Sequence, residues 1–161
     1  MNKKGFTLIE VLLAVFIISV AVLGLYNGIN YSYHSVETAK KVFTASYLAE
    51  EGVELVKNIR DSNFVTGGAT WTTGLLSCSS SYGCRMDYND LTLTVNSSDA
   101  DSKTALWIDA NGAYNYVASG EKTIFSRKIV IANQTTRLKV TVTVFYGEDQ
   151  FILEQYLYDW K

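Results

Sequence analysis

Lys3-Lys4-Gly5-Phe6-Thr7-Leu8-Ile9-Glu10-Val11-Leu12 opens a stretch whose reading decides the architecture. From Val11 to Leu25 every residue except Ser19 and Gly24 is Ala, Val, Leu, Ile or Phe, and no acid, base or histidine lies between Glu10 and His34. A helix from Phe6 to Leu25 is about 30 Å long, which matches the hydrocarbon core of a bilayer. Lys3 and Lys4 precede it and the next bases are Lys40 and Lys41, so the positive-inside tendency leaves the amino terminus in the cytoplasm and the chain beyond about Tyr26 outside. Tyr26, Tyr31 and Tyr33 cluster where amphipathic rings favour the interface. A secretory signal peptide fits less well, because no small-residue cleavage site follows Leu25.

Outward from this segment, the chain of 161 residues is 48% hydrophobic and 19% charged, a composition that gives one folded unit and excludes a wholly disordered chain. A net charge of −2 provides no global attraction to nucleic acid. One histidine, and no H-E-x-x-H, C-x-x-C, Walker or G-x-S-x-G pattern, argue against an enzyme. Glu10 is the anomaly: a carboxylate costs roughly 2.5–3.5 kcal/mol at mid-bilayer and less near the edge, so it calls for a partner that its own segment does not contain.

The residues from Lys3 to Leu12 resemble the class III signal of type IV pilins and of the pseudopilins of secretion systems: a short basic leader, a Gly, a Phe, a nearby acid and an unbroken apolar helix. The resemblance implies cleavage between Gly5 and Phe6 by a membrane aspartic prepilin peptidase and methylation of Phe6 at its new amino terminus. It implies that Glu10 faces the terminal ammonium of a neighbouring subunit, an opposite-charge pair within an apolar bundle. The implied organisation is a leader over residues 1–5, a transmembrane and filament-core helix over 6–28, and a globular head over 29–161 that includes the second half of the helix. The implied fold class is α+β, with a long amino-terminal α-helix packed on an antiparallel β-sheet.

No proline stops the helix. Val42, Ala45, Ala49, Gly52, Val56 and Ile59 recur at steps of three and four, a stripe suited to packing on a domain, and the helix is expected to end between Arg60 and Asn63, before Thr66-Gly67-Gly68. Many major type IV pilins carry a helix-kinking Pro where this chain reads Gly24-Leu25-Tyr26-Asn27-Gly28. Here the two glycines serve either local weakening or, as G-x-x-x-G, close helix pairing.

Past the helix the period becomes two. Leu91, Leu93 and Val95 alternate with polar residues, as do Leu138, Val140, Val142 and Val144. A turn at Asn133-Gln134 places Phe125, Ile129 and Ile131 on one face with the latter set, and Lys128 on the other with Arg137, Lys139, Thr141 and Thr143. Gly147-Glu148-Asp149 turns into a last strand, about Phe151 to Tyr158, so the expected head is an antiparallel meander. Cys78 and Cys84 lie outside the membrane, where an oxidising compartment favours a disulfide worth about 2–3 kcal/mol over two free thiols or a metal site.

Asp99-Ala100-Asp101 and Asp109-Ala110-Asn111-Gly112 do not complete a calcium loop and read as turn chemistry, and His34 has no acid or nucleophile partner. No metal or cofactor is expected. Lys128, Arg137 and Lys139 form the one candidate contact for DNA or an anionic surface, a face that reads more simply as solvated.

The stretch Leu48 to Phe64 is similar to the helix end of minor pilins of the pilus modification or assembly type. The expected function is therefore a minor type IV pilin, joining or initiating a pilus with other pilin subunits, the prepilin peptidase and the inner-membrane assembly machinery as partners. It would sit in the membrane before assembly and in the extracellular pilus afterwards. The alternatives are a type II secretion pseudopilin and a tip adhesin or DNA-binding minor pilin.

Overall fold

The computed structural model describes Gly5, residues 7–66 and residues 70–159. Lys3, Lys4 and Phe6 of the amino-terminal signal, and Gly67-Gly68 of the expected turn, lie outside the described residues. The chain divides into two compact units, Met1–Lys40 and Lys41–Lys161. One helix, α1 (Leu8–Thr66), supplies residues to both.

In the first unit Ser19 donates its Oγ hydrogen to the Val15 carbonyl at 2.7 Å, which satisfies the hydroxyl within the helix. The described side chains here are exposed, from Leu8 through Val36.

In the second unit, α1 buries Ala45, Leu48, Ala49, Gly52, Val53, Leu55, Val56 and Phe64. The stripe is thus broader than the sequence pattern indicates, because Leu48, Val53 and Leu55 join it, while Val42 is exposed and Ile59 only partly buried. The helix runs to Thr66, past the expected end, and Thr66 closes it by donating to the Ser62 carbonyl at 2.7 Å.

The sheet is antiparallel throughout. Its spine is a meander of β5 (Glu121–Gln134), β6 (Arg137–Tyr146) and β7 (Asp149–Tyr158). Beyond β5 lie β1 (Cys84–Arg85) with β2 (Thr94–Val95), and β3 (Ala105–Ile108) with β4 (Tyr114–Asn115). β5 is long because it serves two neighbours on that side: its start pairs with β3 and its Ile129 with Cys84 of β1. A short helix, α2 (Asp99–Ser102), is capped by Ser98, whose side chain accepts from the Asp101 N–H.

Two expectations need correction. The β5–β6 turn is Thr135-Thr136, since Gln134 pairs with Arg137, rather than Asn133-Gln134. The shift is two residues, so side-chain parity and the face assignment survive. Of the expected strand over Leu91–Val95 only Thr94–Val95 pairs, and Leu91 is 89% exposed, because this stretch has a single partner of two residues. The core between helix and sheet comprises the α1 residues above with Ile129, Ile131, Leu138, Val140, Val142, Val144 and Leu157, closed by Leu75, Met86 and Leu106.

Candidate functional site

Two places in the chain carry more than packing. In the first unit, α1 is long and apolar enough to cross a membrane, and its most apolar 18-residue window has a mean hydropathy of 2.8 with none of it buried. Phe16 is 66% exposed and Leu23 63%. A helix apolar on every side is stable only in lipid or against other apolar helices. Glu10 is exposed within the first turn, where the Glu10 and Val11 N–H groups both donate to the Thr7 carbonyl. An acid there complements the positive end of the helix dipole, so Glu10 favours helix initiation.

In the second unit, a cation sits at the centre of the core. Arg127 on β5 is 1% exposed. Its Nη1 donates to the Leu48 carbonyl at 3.1 Å and to Glu51 Oε2 at 2.8 Å, and its Nη2 donates to the Met86 carbonyl at 2.7 Å. One guanidinium therefore ties the helix, the sheet and the segment after β1 together. The Arg127 carbonyl accepts in turn from the Tyr116 hydroxyl at 2.8 Å, and burial pushes that phenol up to about 12. Beside it, Asp87 Oδ1 accepts from the Tyr116 N–H at 2.8 Å.

The alternation along β5 places Arg127 on the inward parity shared by Phe125, Ile129 and Ile131, with Val144 of β6 opposite it. A base at an inward position, and an acid at Glu51 next to the apolar stripe, are the sequence signals of this pair.

Burial holds the Asp87 carboxyl above its ordinary range; Asp90 reinforces this, while the Tyr116 N–H and Arg127 oppose it. The folded state then binds more protons than the unfolded one between the ordinary and the raised pKa, so this group's contribution to stability falls as pH rises through that window. Asp87→Asn removes the effect. The stability difference, native minus variant, should decline across the window in denaturant titrations of the full chain in detergent; a constant or growing difference would contradict the assignment.

The three outer bases are on one face but not in one cluster. Arg137 stacks on Tyr156, 4.1 Å from its ring centroid, and donates to Gln134 Oε1 at 3.0 Å. Lys139 pairs with Glu154 at 2.6 Å, which offsets its charge. Lys128 lies four residues along β5 from Ala132, the partner of Lys139, hence about 13 Å away. It packs over Phe145 at 5.5 Å.

Cys78 and Cys84 form a disulfide within the core, with Cα atoms 5.3 Å apart. Asp101 accepts from Ser97, and Asp109 Oδ1 from the Asn111 and Ala113 N–H groups, so these acids are engaged in turns. His34 lies edge-on to Tyr33. Among the described residues no three His, Cys, Asp or Glu side chains converge on a point that could hold a metal.

No curated protein and no solved structure matches the chain. The family model for the prokaryotic N-terminal methylation motif matches residues 1–26, the segment that holds Gly5, Phe6, Glu10 and the start of the exposed apolar helix. The chain thus carries the methylation signal of type IV pilins and their pseudopilin relatives, which indicates a membrane-anchored structural subunit, on a pilin-like α+β architecture.

Proposed function

We propose that the chain is a minor type IV pilin. Residues 1–5 are its leader, cleaved between Gly5 and Phe6, and Phe6 becomes the methylated amino terminus. Residues 6–28 enter the filament core, and residues 29–161 form the head. The observation that carries this reading is an apolar helix, exposed on every side and bearing a single acid near its start, in a chain that matches the methylation motif. Glu10 loses hydration on entering an apolar bundle, and a neighbour's terminal ammonium restores the balance. The Leu48–Phe64 resemblance favours a minor subunit over a type II secretion pseudopilin. Lys128, Arg137 and Lys139 are candidate contacts for an anionic surface.

The test is mass spectrometry and abundance in filaments sheared from the native host. The expected species starts at methyl-Phe6 and is far scarcer than the major pilin. Glu10→Leu should leave cleavage and membrane insertion intact and reduce filament entry at least about tenfold, the size expected if a charge is left unpaired in the bundle. An intact Met1 in filaments, or normal entry of the variant, would overturn the proposal; recovery with secretion-system pseudopili would assign the chain to type II secretion.

A further inference from the structure

The two sides of the sheet end differently. On one side the outermost strands, β2 and β4, are two residues long, and the β3–β5 pairing contains a register irregularity between Ala105 and Trp107. On the other, β7 pairs with β6 through ten unbroken residue pairs and, among the described residues, has no further neighbour. Open edges are normally blunted by proline, lysine, bulges or brevity. β7 has none of these: its ten residues read DQFILEQYLY, and no Lys, Arg or His occurs from Gly147 to Asp159.

The register fixes which backbone groups are unpaired. Tyr146 and Asp149 flank a two-residue turn, so they form a hydrogen-bonded pair, and such pairs alternate along an antiparallel ladder. Phe151, Leu153, Gln155 and Leu157 then bond to β6. The N–H and C=O groups of Gln150, Ile152, Glu154, Tyr156 and Tyr158 point away from it. The other hairpin gives the same phase: Gln134 and Arg137 flank its two-residue turn, which directs the alternate residues of β6 toward β5. Gln155 Nε2 reaches the Tyr156 carbonyl at 3.3 Å, consistent with an outward acceptor.

We infer that β7 is a docking edge for an extended strand of another protein, one that is uncharged and β-branched along its length and carries Lys or Arg at the end lying over Glu148 and Asp149. Those two acids are exposed and pair with no cation among the described residues, whereas Glu154 is already satisfied by Lys139. Ile152, 51% exposed, and Tyr158, 49% exposed, give the incoming strand apolar cross-strand neighbours. Backbone pairing supplies the affinity, and the acidic end selects the partner. The inference rests on sheet geometry and stands independently of the filament reading.

The test uses the full chain in detergent and amide hydrogen exchange read by NMR. The probe is a synthetic peptide alternating valine and threonine between terminal lysines, which puts a lysine over Glu148 and Asp149 in either orientation; its glutamate-ended counterpart is the comparison. The lysine-ended peptide should slow exchange of the Gln150, Ile152, Glu154, Tyr156 and Tyr158 amides at least about tenfold, and the other peptide less. Ile152→Pro deletes an outward donor and one apolar neighbour of the incoming strand but no β6–β7 bond, so the β6–β7 ladder should persist while this protection is lost. Glu148→Lys, which leaves the edge backbone untouched and balances the charge of Asp149, should abolish the preference between peptides that the unmodified chain shows. In the unmodified chain, absence of slowing with either peptide, equal slowing by both, or protection that grows with protein concentration without peptide and so marks self-pairing, would each overturn the inference.

Discussion

Arg127→Ala is expected to lower the unfolding free energy of the second unit by roughly 3–5 kcal/mol, the cost of removing one member of a buried, hydrogen-bonded charge pair. The substitution strands the Met86 carbonyl inside the core, opens a cavity the length of the arginine stem, and leaves Glu51 without its cation. These losses act on three segments at once, so the midpoint of thermal unfolding should fall by more than about 10 °C. Glu51→Gln is the informative comparison. The Glu51 side chain is 25% exposed, so its amide can turn to water, and the guanidinium keeps both carbonyl acceptors. Its cost should be about 1.5–3 kcal/mol, below that of Arg127→Ala, because the buried guanidinium loses its counter-charge but keeps both carbonyl acceptors. Both variants are measured in the full chain in detergent by the near-ultraviolet circular dichroism of the packed aromatics; equal costs for the two would contradict a central role for the arginine.

Gly120→Ala should detach β3 and β4 from the sheet. Gly120 has φ +99°, and a methyl group built on it would lie 2.1 Å from the Ile108 carbonyl oxygen, which belongs to the rigid backbone of β3. The torsional cost is about 1–3 kcal/mol, and the overlap adds to it, so at least about 3 kcal/mol is expected locally. Gly112→Ala separates the two contributions: its φ is +82° but nothing lies within 4 Å, so only the torsional part of about 1–2 kcal/mol applies. Hydrogen exchange should show faster opening of the Ala105–Ile108 and Tyr114–Asn115 amides in the Gly120 variant while the β6–β7 ladder stays protected. Equal opening in both variants would show that crowding at Ile108 is unimportant.

Long-period features of the chain were legible from sequence, and short ones were not. The apolar run and the two-residue alternation of Leu138 to Val144 repeat often enough to define a helix and an inward strand face. The face assignment held even though the turn lay at Thr135-Thr136, because an even shift conserves parity. β1, β3 and β4 escaped notice because two to four residues cannot display a period, although Asp109-Ala110-Asn111-Gly112 marks the β3–β4 turn. Arg127 escaped because charge suggests solvent, and only its pairing with Glu51 and two carbonyls makes an inward position tenable. The sequence assigned no partner to the outer bases, because Glu154, which faces Thr141, reaches Lys139 from the neighbouring strand.

The contacts of Arg127 also impose an order in time. They join it to Leu48 and Glu51 across 79 and 76 positions of sequence. During synthesis the helix emerges first, and its inward carboxylate must remain hydrated until β5 has been made and delivered to it. Contacts of such separation carry a large loop-closure entropy and form late. The helix therefore waits for its arginine, and the core of the second unit closes only after β5 has been made.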